Sequence, residues 1–300
     1  MKLRRSVIFI PGTLDENAIR HRIQSCGADV ICLDLEDTVH PSRKDEARAM
    51  IVRLLREDIW GRGARAIRIN PASTPLAETD LRMVVGAAGR FIDTIMLSKP
   101  EKVEDIEKID EIISDLREEH QFDNRIGYVV GIESASALTN IDMLASCSPN
   151  VDALGLAIGD LSVSLHINIG AYLQDRSTYP GDLFHFHRAR IILAARTHGL
   201  WALDAPWPVI NDHATLGEDA RWGMMMGFDG KLVLAPEQVR TVHEAYRPTD
   251  AEVAYARDVL SRMEALEQVG EGSGMSGEMF LDPVVIEPAR RTLARYEAPL

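Results

Sequence analysis

Charged or amide side chains follow six of the eight β-strands that the sequence predicts. Each group comes after a short apolar, β-branched run, where a strand of a parallel barrel ends and its loop begins. Because the carboxyl ends of such strands meet at one mouth, we expect these side chains to converge there. The set comprises Asp34, Glu36 and Asp37 after the second strand, Arg68 and Asn70 after the third, Lys99 after the fourth, Glu133 after the fifth, Asp160 after the sixth and Asp204 after the seventh.

Four acidic strand ends in one mouth would repel each other unless cations neutralised them. Arg68 and Lys99 supply part of the positive charge, and a divalent ion would supply the rest. Carboxylates without His or Cys partners favour a hard ion, chiefly Mg²⁺, with Mn²⁺ as the alternative. Asp34 and Glu36 share one side of their strand, so only a subset of the acids can face the ion. A metal ion at such a site can bind and polarise a small oxo acid. The pattern therefore favours an enzyme that forms or cleaves a carbon–carbon bond next to a carbonyl group.

The same residues also have purely structural interpretations. Glu133 and Asp160 would then cap the helices that follow them. Arg68 would form a salt bridge with the acids of the second strand end. Lys99 would balance charge rather than form a Schiff base, because the neighbouring acids keep its pKa from falling.

Eight strands must position this set. Apolar, β-branched runs lie at 6–10, 30–35, 64–70, 94–98, 125–132, 153–158, 201–204 and 231–234. Amphipathic segments of helical length alternate with them, for example 43–57 and 102–119. The alternation predicts an α/β fold, a (β/α)8 TIM barrel over residues 1–247. Residues 248–300 are not needed to complete an eight-stranded barrel. We expect them to form a C-terminal helical extension that acts as a lid or as an arm swapped between subunits.

The amino-acid composition indicates which kinds of binding partner to expect. The 300 residues carry 46 acidic and 33 basic side chains, a formal charge of −13, which argues against nucleic acid and against anionic membrane surfaces. No apolar run reaches the length of a membrane helix, and the basic, then apolar, N-terminus predicts a first strand rather than a signal peptide. Three cysteines without metal-type spacing predict free, buried thiols and a cytoplasmic protein.

Seven motifs occur in the order found in the citrate lyase beta-subunit-like family, part of the pyruvate aldolase and citrate lyase superfamily that includes malyl-CoA and citramalyl-CoA lyases. They are FIPG (9–12), ADVICLDLEDTV (28–39), RIN (68–70), MLSKP (96–100), GIESASAL (131–138), LAIGDLSV (156–163) and GFDGK (227–231). The resemblance covers roughly residues 5 to 240, with a weaker match at Asp282. Each motif alone is weak, but seven in register are specific.

The resemblance implies a barrel enzyme, homotrimeric or hexameric, that uses Mg²⁺ to cleave a 3-hydroxyacyl-CoA into an acyl-CoA and an oxo acid. By resemblance, Glu133 and Asp160 are the metal ligands. Arg68 binds the oxo acid and stabilises enolate charge, while Glu36 and Asp37 hold a metal-bound water and Arg68. The implied catalytic set is therefore Arg68, Asp282, Glu36 and Asp37, and the implied substrate-binding set is Arg68, Gly159, Asp160 and Leu161.

Two departures from the family pattern affect these implications. The family commonly has His-Pro-x-x-Gln after its glycine-lysine motif, whereas this chain has Ala235-Pro236-Glu237-Gln238. The acyl-CoA contact that the resemblance implies for this histidine therefore has no counterpart at Ala235. The family aspartate in a C-terminal Ile-Asp-x-Pro motif corresponds to Asp282, in a tighter Leu-Asp-Pro order. Asp282 is the candidate acid or base for the acyl-CoA α-carbon, in its own or a neighbouring subunit's site, and its structural interpretation is a helix N-cap.

The sequence favours a metal-dependent acyl-CoA lyase of the malyl-CoA or citramalyl-CoA type. Two alternatives stay open. One is a CoA-independent aldolase that acts through the enolate of pyruvate or oxaloacetate, which the missing histidine favours. The other is a subunit of the citrate lyase beta type that acts only on acyl groups delivered by a carrier protein.

Overall fold

A computed structural model describes residues 4–276 and 279–297. Eight parallel strands close into a barrel in sequence order, with the eighth paired to the first. All eight predicted strands are present with bounds within two residues, so the predicted barrel is confirmed. The strands are β1 (Ser6–Pro11), β2 (Val30–Asp34), β3 (Ala64–Ile69), β4 (Thr94–Leu97), β5 (Gly127–Ile132), β6 (Val151–Leu156), β7 (Trp201–Asp204) and β8 (Gly230–Val233).

Helices fill the connections between strands. They begin where the sequence offers a capping side chain, as at Asp15, which accepts hydrogen bonds from the Asn17 and Ala18 amides before α1. The helices are α1 (Glu16–Ser25), α2 (Lys44–Arg56), α3 (Pro75–Asp80), α4 (Gly86–Ala88), α5 (Val103–His120), α6 (Ala135–Thr139), α7 (Ile141–Ser146), α8 (Ile158–Ser164), α9 (Ile169–Gln174), α10 (His185–Thr197), α11 (His213–Met226) and α12 (Pro236–Tyr246). A π-helical stretch, Leu81–Val85, joins α3 to α4, and 3₁₀ turns lie at Pro41–Arg43, Gly89–Phe91 and Arg176–Thr178.

Alternate residues of each strand fill the barrel interior. One core cluster holds Val7, Phe9, Val30, Cys32, Ala64, Ala66, Met96, Val129, Ala153, Leu203 and Leu232. Because side chains on a strand alternate between its two faces, the next residues of this series at the carboxyl ends, such as Asp34 and Arg68, belong to the mouth. The intervening residues pack against the helices. The packing of the core therefore decides which charged strand ends face the mouth.

The chain divides into two compact units, one up to Val242 and one from His243 onward. The second contains α13 (Asp250–Gln268), the antiparallel pair β9 (Gly274–Ser276) and β10 (Met279–Leu281), a 3₁₀ turn (Pro283–Val285) and α14 (Ile286–Glu297). Thr249 and Glu252 cap α13 reciprocally, and a small core forms around Val259, Met263 and Leu281. The predicted boundary after residue 247 and the lid or arm role stay predictions.

Within the described residues, no helix combines the length and apolarity needed to span a membrane. Cys26 and Cys32 are buried thiols, as predicted, whereas Cys147 is only half-buried.

Candidate active site

Arg68 is fixed against the end of β2 by a two-point salt bridge. It faces Asp34 in the register of β2 and β3, and it donates from Nε to Oδ1 at 2.7 Å and from Nη2 to Oδ2. The guanidinium carbon lies 4.8 Å from the centre of the Phe9 ring. Burial opposes the charge, but Asp34 outweighs it and raises the pKa of Arg68 above its ordinary value. Arg68 is therefore a permanently charged and oriented cation at the mouth, and the predicted salt bridge is confirmed.

A buried lysine that the sequence analysis missed holds the backbone of the β2 acids. Lys44 Nζ donates to the carbonyl oxygens of Leu35 at 2.7 Å and Glu36 at 3.2 Å, and to Asn70 Oδ1 at 2.7 Å. Asn70 in turn donates from its side chain and its backbone to Asp80 Oδ2. Lys44 lies at the start of α2, and no spacing rule connects it to residues 35 and 36. It fixes the loop that carries Glu36.

The Lys99 side chain lies between the acids of the β2 loop and Asp160, which follows β6. Its Nζ lies 2.7 Å from both Glu36 Oε1 and Asp37 Oδ2, and 3.8 Å from Asp160 Oδ1. Burial lowers the pKa of Lys99, but these carboxylates outweigh it and raise the pKa above the ordinary value. Glu36 also lies 3.3 Å from Arg68 Nη1. Lys99 is therefore a charged lysine rather than a Schiff-base nucleophile, in agreement with the prediction.

The pKa values of the two acids of this loop are shifted in opposite directions. Burial raises the pKa of Glu36 above its ordinary value even though Arg68 and Lys99 act in the opposite direction. Burial acts in the same sense on Asp37, but the hydrogen bond from Lys99 outweighs it and holds the pKa of Asp37 below its ordinary value. Asp37 is thus a firm anion, whereas Glu36 takes up a proton more readily.

Glu133 lies buried after β5, and its carboxyl group forms no salt bridge with a described residue. Burial, together with the negative charges of Glu36 and Asp160, raises the pKa of Glu133 to about 7. Among the described residues its carboxylate accepts one hydrogen bond, from the Lys99 amide at 3.2 Å. The cap of α6 is Ser134, whose hydroxyl accepts the Ala137 amide, so the capping interpretation of Glu133 is wrong.

Asp160 lies in the first turn of α8 with about half of its side chain exposed. It makes no capping hydrogen bond, so its capping interpretation is wrong as well. Gly159 is exposed and faces open space. The Leu161 side chain is fully buried and its amide donates within the helix to Ala157. Any substrate contact in this stretch would therefore fall to Gly159 and Asp160 rather than to the Leu161 side chain.

The donor set fits a hard divalent ion. Two carboxylates, Glu133 and Asp160, lie close enough for the charge of Asp160 to raise the pKa of Glu133, and nearby cations compensate only part of that repulsion. In residues 4–276 and 279–297, no group of three or more His, Cys, Asp and Glu side chains is arranged to hold a metal. Mg²⁺ commonly takes only one or two protein carboxylates and keeps its other positions for water and substrate.

Asp204 does not reach the mouth, which corrects the expectation that all strand-end acids converge. Leu203 belongs to the interior cluster, so Asp204 points outward, where it pairs with Lys231 Nζ at 2.7 Å and with Arg188 Nε at 3.0 Å. Asp219 of α11 completes this buried network, 2.6 Å from Lys231 and 2.8 Å from Arg188. The lysine of the GFDGK motif therefore ties β7 and β8 to α10 and α11.

An aromatic cage around Arg176 was also missed from the sequence. The guanidinium carbon lies 4.7 Å from the Trp222 ring centre, 5.6 Å from that of Trp207 and 5.8 Å from that of Tyr172. Arg176 belongs to the long connection after β6, and Trp207 to the connection after β7. Cation–π contacts of this kind fix one loop of the carboxyl face against another.

The residues at the two departures from the family pattern have structural partners. Buried Gln238 donates to the Trp207 carbonyl and accepts the Leu234 amide, each at 2.9 Å, so the glutamine after Ala235 braces the ends of β7 and β8. Asp282, in the second unit, caps the 3₁₀ turn by accepting the Val284 amide at 3.1 Å. The N-cap interpretation of Asp282 is observed, and its catalytic role stays a prediction.

Comparisons with known proteins identify the family of this chain. Residues 5–236 match the model of the HpcH/HpaI aldolase/citrate lyase family. An L-malyl-CoA/beta-methylmalyl-CoA lyase of Cereibacter sphaeroides is 30% identical over 98% of this chain and 94% of its own. The citrate lyase subunit beta of Leuconostoc mesenteroides subsp. cremoris is 31% identical over 96% of this chain and 92% of its own.

Among solved structures, the protein CitE of Mycobacterium tuberculosis, in complex with magnesium, acetoacetate and coenzyme A, superposes with a TM-score of 0.78 at 24% identity, covering 99% of both chains. That similarity shows the shared fold. The two curated relatives are lyases, in agreement with the predicted class of carbon–carbon lyase. This chain belongs to the HpcH/HpaI aldolase/citrate lyase family.

Proposed function

We propose that the protein is a Mg²⁺-dependent lyase that cleaves a 3-hydroxyacyl-CoA of the malyl-CoA or citramalyl-CoA type into an acyl-CoA and an oxo acid. The observation that carries the proposal is the meeting of Glu133, Asp160 and Arg68 at one barrel mouth. The lyase names of two relatives that align over nearly the whole chain support the reaction class. The magnesium, acetoacetate and coenzyme A of the structural neighbour support the cofactor and the ligand class.

Glu133 and Asp160 would hold the ion, which when bound polarises the oxygens of the departing oxo acid. Arg68 uses Nε and one N–H of Nη2 on Asp34, and Nη1 lies 3.3 Å from Glu36. The guanidinium has five N–H groups, so the second N–H of Nη2 and one N–H of Nη1 remain for an anionic oxygen of the substrate. Asp34 keeps this face of the guanidinium aimed at the mouth. As charge develops on the oxo-acid oxygens, Arg68 stabilises it without reorganising.

Glu36 and Asp37 shape this site without being proposed as metal ligands. Glu36 lies between Lys99 Nζ at 2.7 Å and Arg68 Nη1 at 3.3 Å, so it orients both cations. The raised pKa of Glu36 makes it the better proton acceptor of the two. We assign to Asp282 the proton transfer at the α-carbon of the acyl-CoA, as the family pattern implies.

The test measures oxo-acid release. Purified protein is incubated with malyl-CoA or citramalyl-CoA and MgCl₂, and glyoxylate or pyruvate is trapped as its phenylhydrazone while acyl-CoA is followed chromatographically. We expect stoichiometric products, loss of activity with EDTA, and loss of at least a hundredfold in kcat for Glu133→Gln. Asp142→Asn, an acid that pairs with Arg190 on the surface, is the matched control and keeps wild-type activity. No product from either thioester refutes the proposal.

Two observations keep second candidates open. Ala235 in place of the family histidine favours a CoA-independent aldolase, which would cleave a free hydroxy acid and release no acyl-CoA. The citrate lyase subunit beta relative favours a carrier-dependent subunit, which would stay inactive on CoA thioesters and act once an acylated carrier protein is supplied.

The proposed homotrimer or hexamer, with the second unit as an arm, has its own test. Arg68→Met and Asp282→Asn are each made as inactive chains and then co-expressed. If Asp282 serves a neighbouring subunit, hybrid oligomers regain a fraction of wild-type turnover. If it serves its own site, the hybrids stay inactive.

A further inference from the structure

Lys99 lies next to each of the four mouth acids to which a role is proposed: Glu36, Asp37, Glu133 and Asp160. Its ammonium contacts Glu36 and Asp37 at 2.7 Å and lies 3.8 Å from Asp160. Its backbone amide donates to Glu133 Oε1 at 3.2 Å. One residue of the β4 end thus touches acids that come from the ends of β2, β5 and β6.

The backbone of Lys99 is held in an uncommon conformation to make these contacts. Its φ is +52°, in the left-handed region that residues other than glycine rarely adopt. It also precedes Pro100, whose ring further restricts the backbone of the residue before it. Strain of this kind persists where surrounding contacts enforce it, and it clusters at functional sites. With this backbone conformation, the amide of Lys99 contacts Glu133 while its ammonium contacts Glu36 and Asp37.

The charges at the mouth define what Lys99 contributes. Two cations form salt bridges with acids of the mouth, Arg68 and Lys99, while buried Lys44 holds the backbone of the β2 loop. The acids of the mouth are Asp34, Glu36, Asp37, Glu133 and Asp160. Asp34 occupies Arg68 through two hydrogen bonds. The Lys99 side chain is about one third exposed, so it borders the space that a bound substrate would enter. Its ammonium is therefore the partly exposed positive charge beside Asp160, whereas the positive charge that acts on Glu133 is that of Arg68.

We propose that Lys99 is a positioning residue whose ammonium neutralises part of the negative charge of the mouth acids. This positive charge weakens the binding of Mg²⁺ and strengthens the binding of the anionic oxo acid. This rests on the proposed Glu133 and Asp160 metal site. A charge that repels the ion and attracts the acid affects the two affinities in opposite directions. A side chain that merely supports the fold would, when removed, weaken both.

The experiment measures both affinities by calorimetry on the full chain. The probes are MgCl₂ alone, and then pyruvate at saturating MgCl₂. For Lys99→Met we expect Mg²⁺ to bind about tenfold more tightly and pyruvate about fourfold more weakly, the order for charges about 5 Å apart in a largely solvated site. Lys99→Arg keeps the charge and stays within about threefold of wild type for both. Lys102→Met, an exposed lysine three residues on, changes neither affinity by more than about twofold.

The outcomes separate this inference from the proposed function. If the wild type binds Mg²⁺ and Glu133→Gln does not, the metal site stands. Parallel weakening of both ligands in Lys99→Met, or no change in either, then overturns the role of Lys99 alone. Absence of Mg²⁺ binding by the wild type overturns both. Where Lys99→Met fails to fold, as judged by circular dichroism, Lys99→Gln replaces it in the same titrations, with the same two results deciding.

Discussion

Replacing Glu133 by Gln should stabilise the metal-free protein at alkaline pH while removing its metal site. The carboxyl group is buried beside two other acids, which with burial raises its pKa to about 7, against an ordinary 4.5. The folded chain therefore keeps this proton to a higher pH than the unfolded chain does. Stability from this group is fully present below pH 4.5, is lost as the pH rises from there through about 7, and changes little above that.

The magnitude follows from the difference between the two pKa values. At 1.36 kcal/mol per pH unit, ionised Glu133 costs about 3 kcal/mol of unfolding free energy at pH 8 and less than about 1 kcal/mol at pH 5. Gln has the same shape, keeps the oxygen that accepts the Lys99 amide and carries no charge. Glu133→Gln should therefore exceed the wild type in stability by about these amounts.

Urea titrations in EDTA, followed by circular dichroism at pH 5 and pH 8, measure the difference. Adding saturating MgCl₂ at pH 8 should stabilise the wild type and leave Glu133→Gln unchanged, because a ligand stabilises only the folded chain that binds it. A variant less stable than the wild type at pH 8, or a difference that is the same at both pH values, would refute the reasoning about Glu133.

Three further outcomes test other parts of the first unit. Asp34→Asn leaves the Arg68 charge buried without its partner, and we expect a loss of about 3 kcal/mol of stability in urea titrations together with loss of turnover. Gly131→Ala should reduce Mg²⁺ affinity in calorimetry, because a Cβ there would lie 2.5 Å from Glu133 Oε1; unchanged affinity would contradict this. Lys231→Met removes one of the two cations that pair with the buried Asp204 and Asp219 and leaves both acids to Arg188. The melting temperature should therefore fall by about 10 °C, while Mg²⁺ affinity in the folded variant, measured at lower temperature, stays at the wild-type value.

The barrel was predictable because local sequence and tertiary packing agree. Each buried strand is a short apolar run, and six of the eight end at charged or amide side chains, so repetition of one pattern specifies the strand count. The mouth acids were found for the same reason, since strand ends are visible in the sequence.

Asp204 was misplaced although a signal was present. Leu203 follows the interior alternation, so its neighbour had to face the helices. Lys44 could not have been found in this way, because its role depends on how α2 packs against the β2 loop. The Arg176 cage likewise joins side chains far apart in the chain through contacts that no spacing encodes.

That cage has an optical consequence. Two of the four tryptophans of the chain, Trp207 and Trp222, have their rings within 5.6 Å of the Arg176 guanidinium carbon. The emission of an indole ring depends on nearby charge and on its contact with water, and the Trp222 side chain is about half exposed. Withdrawal of Arg176 from between the rings would change both conditions at once. The protein therefore carries an intrinsic fluorescent reporter for displacement of the segment after β6, readable without any attached dye.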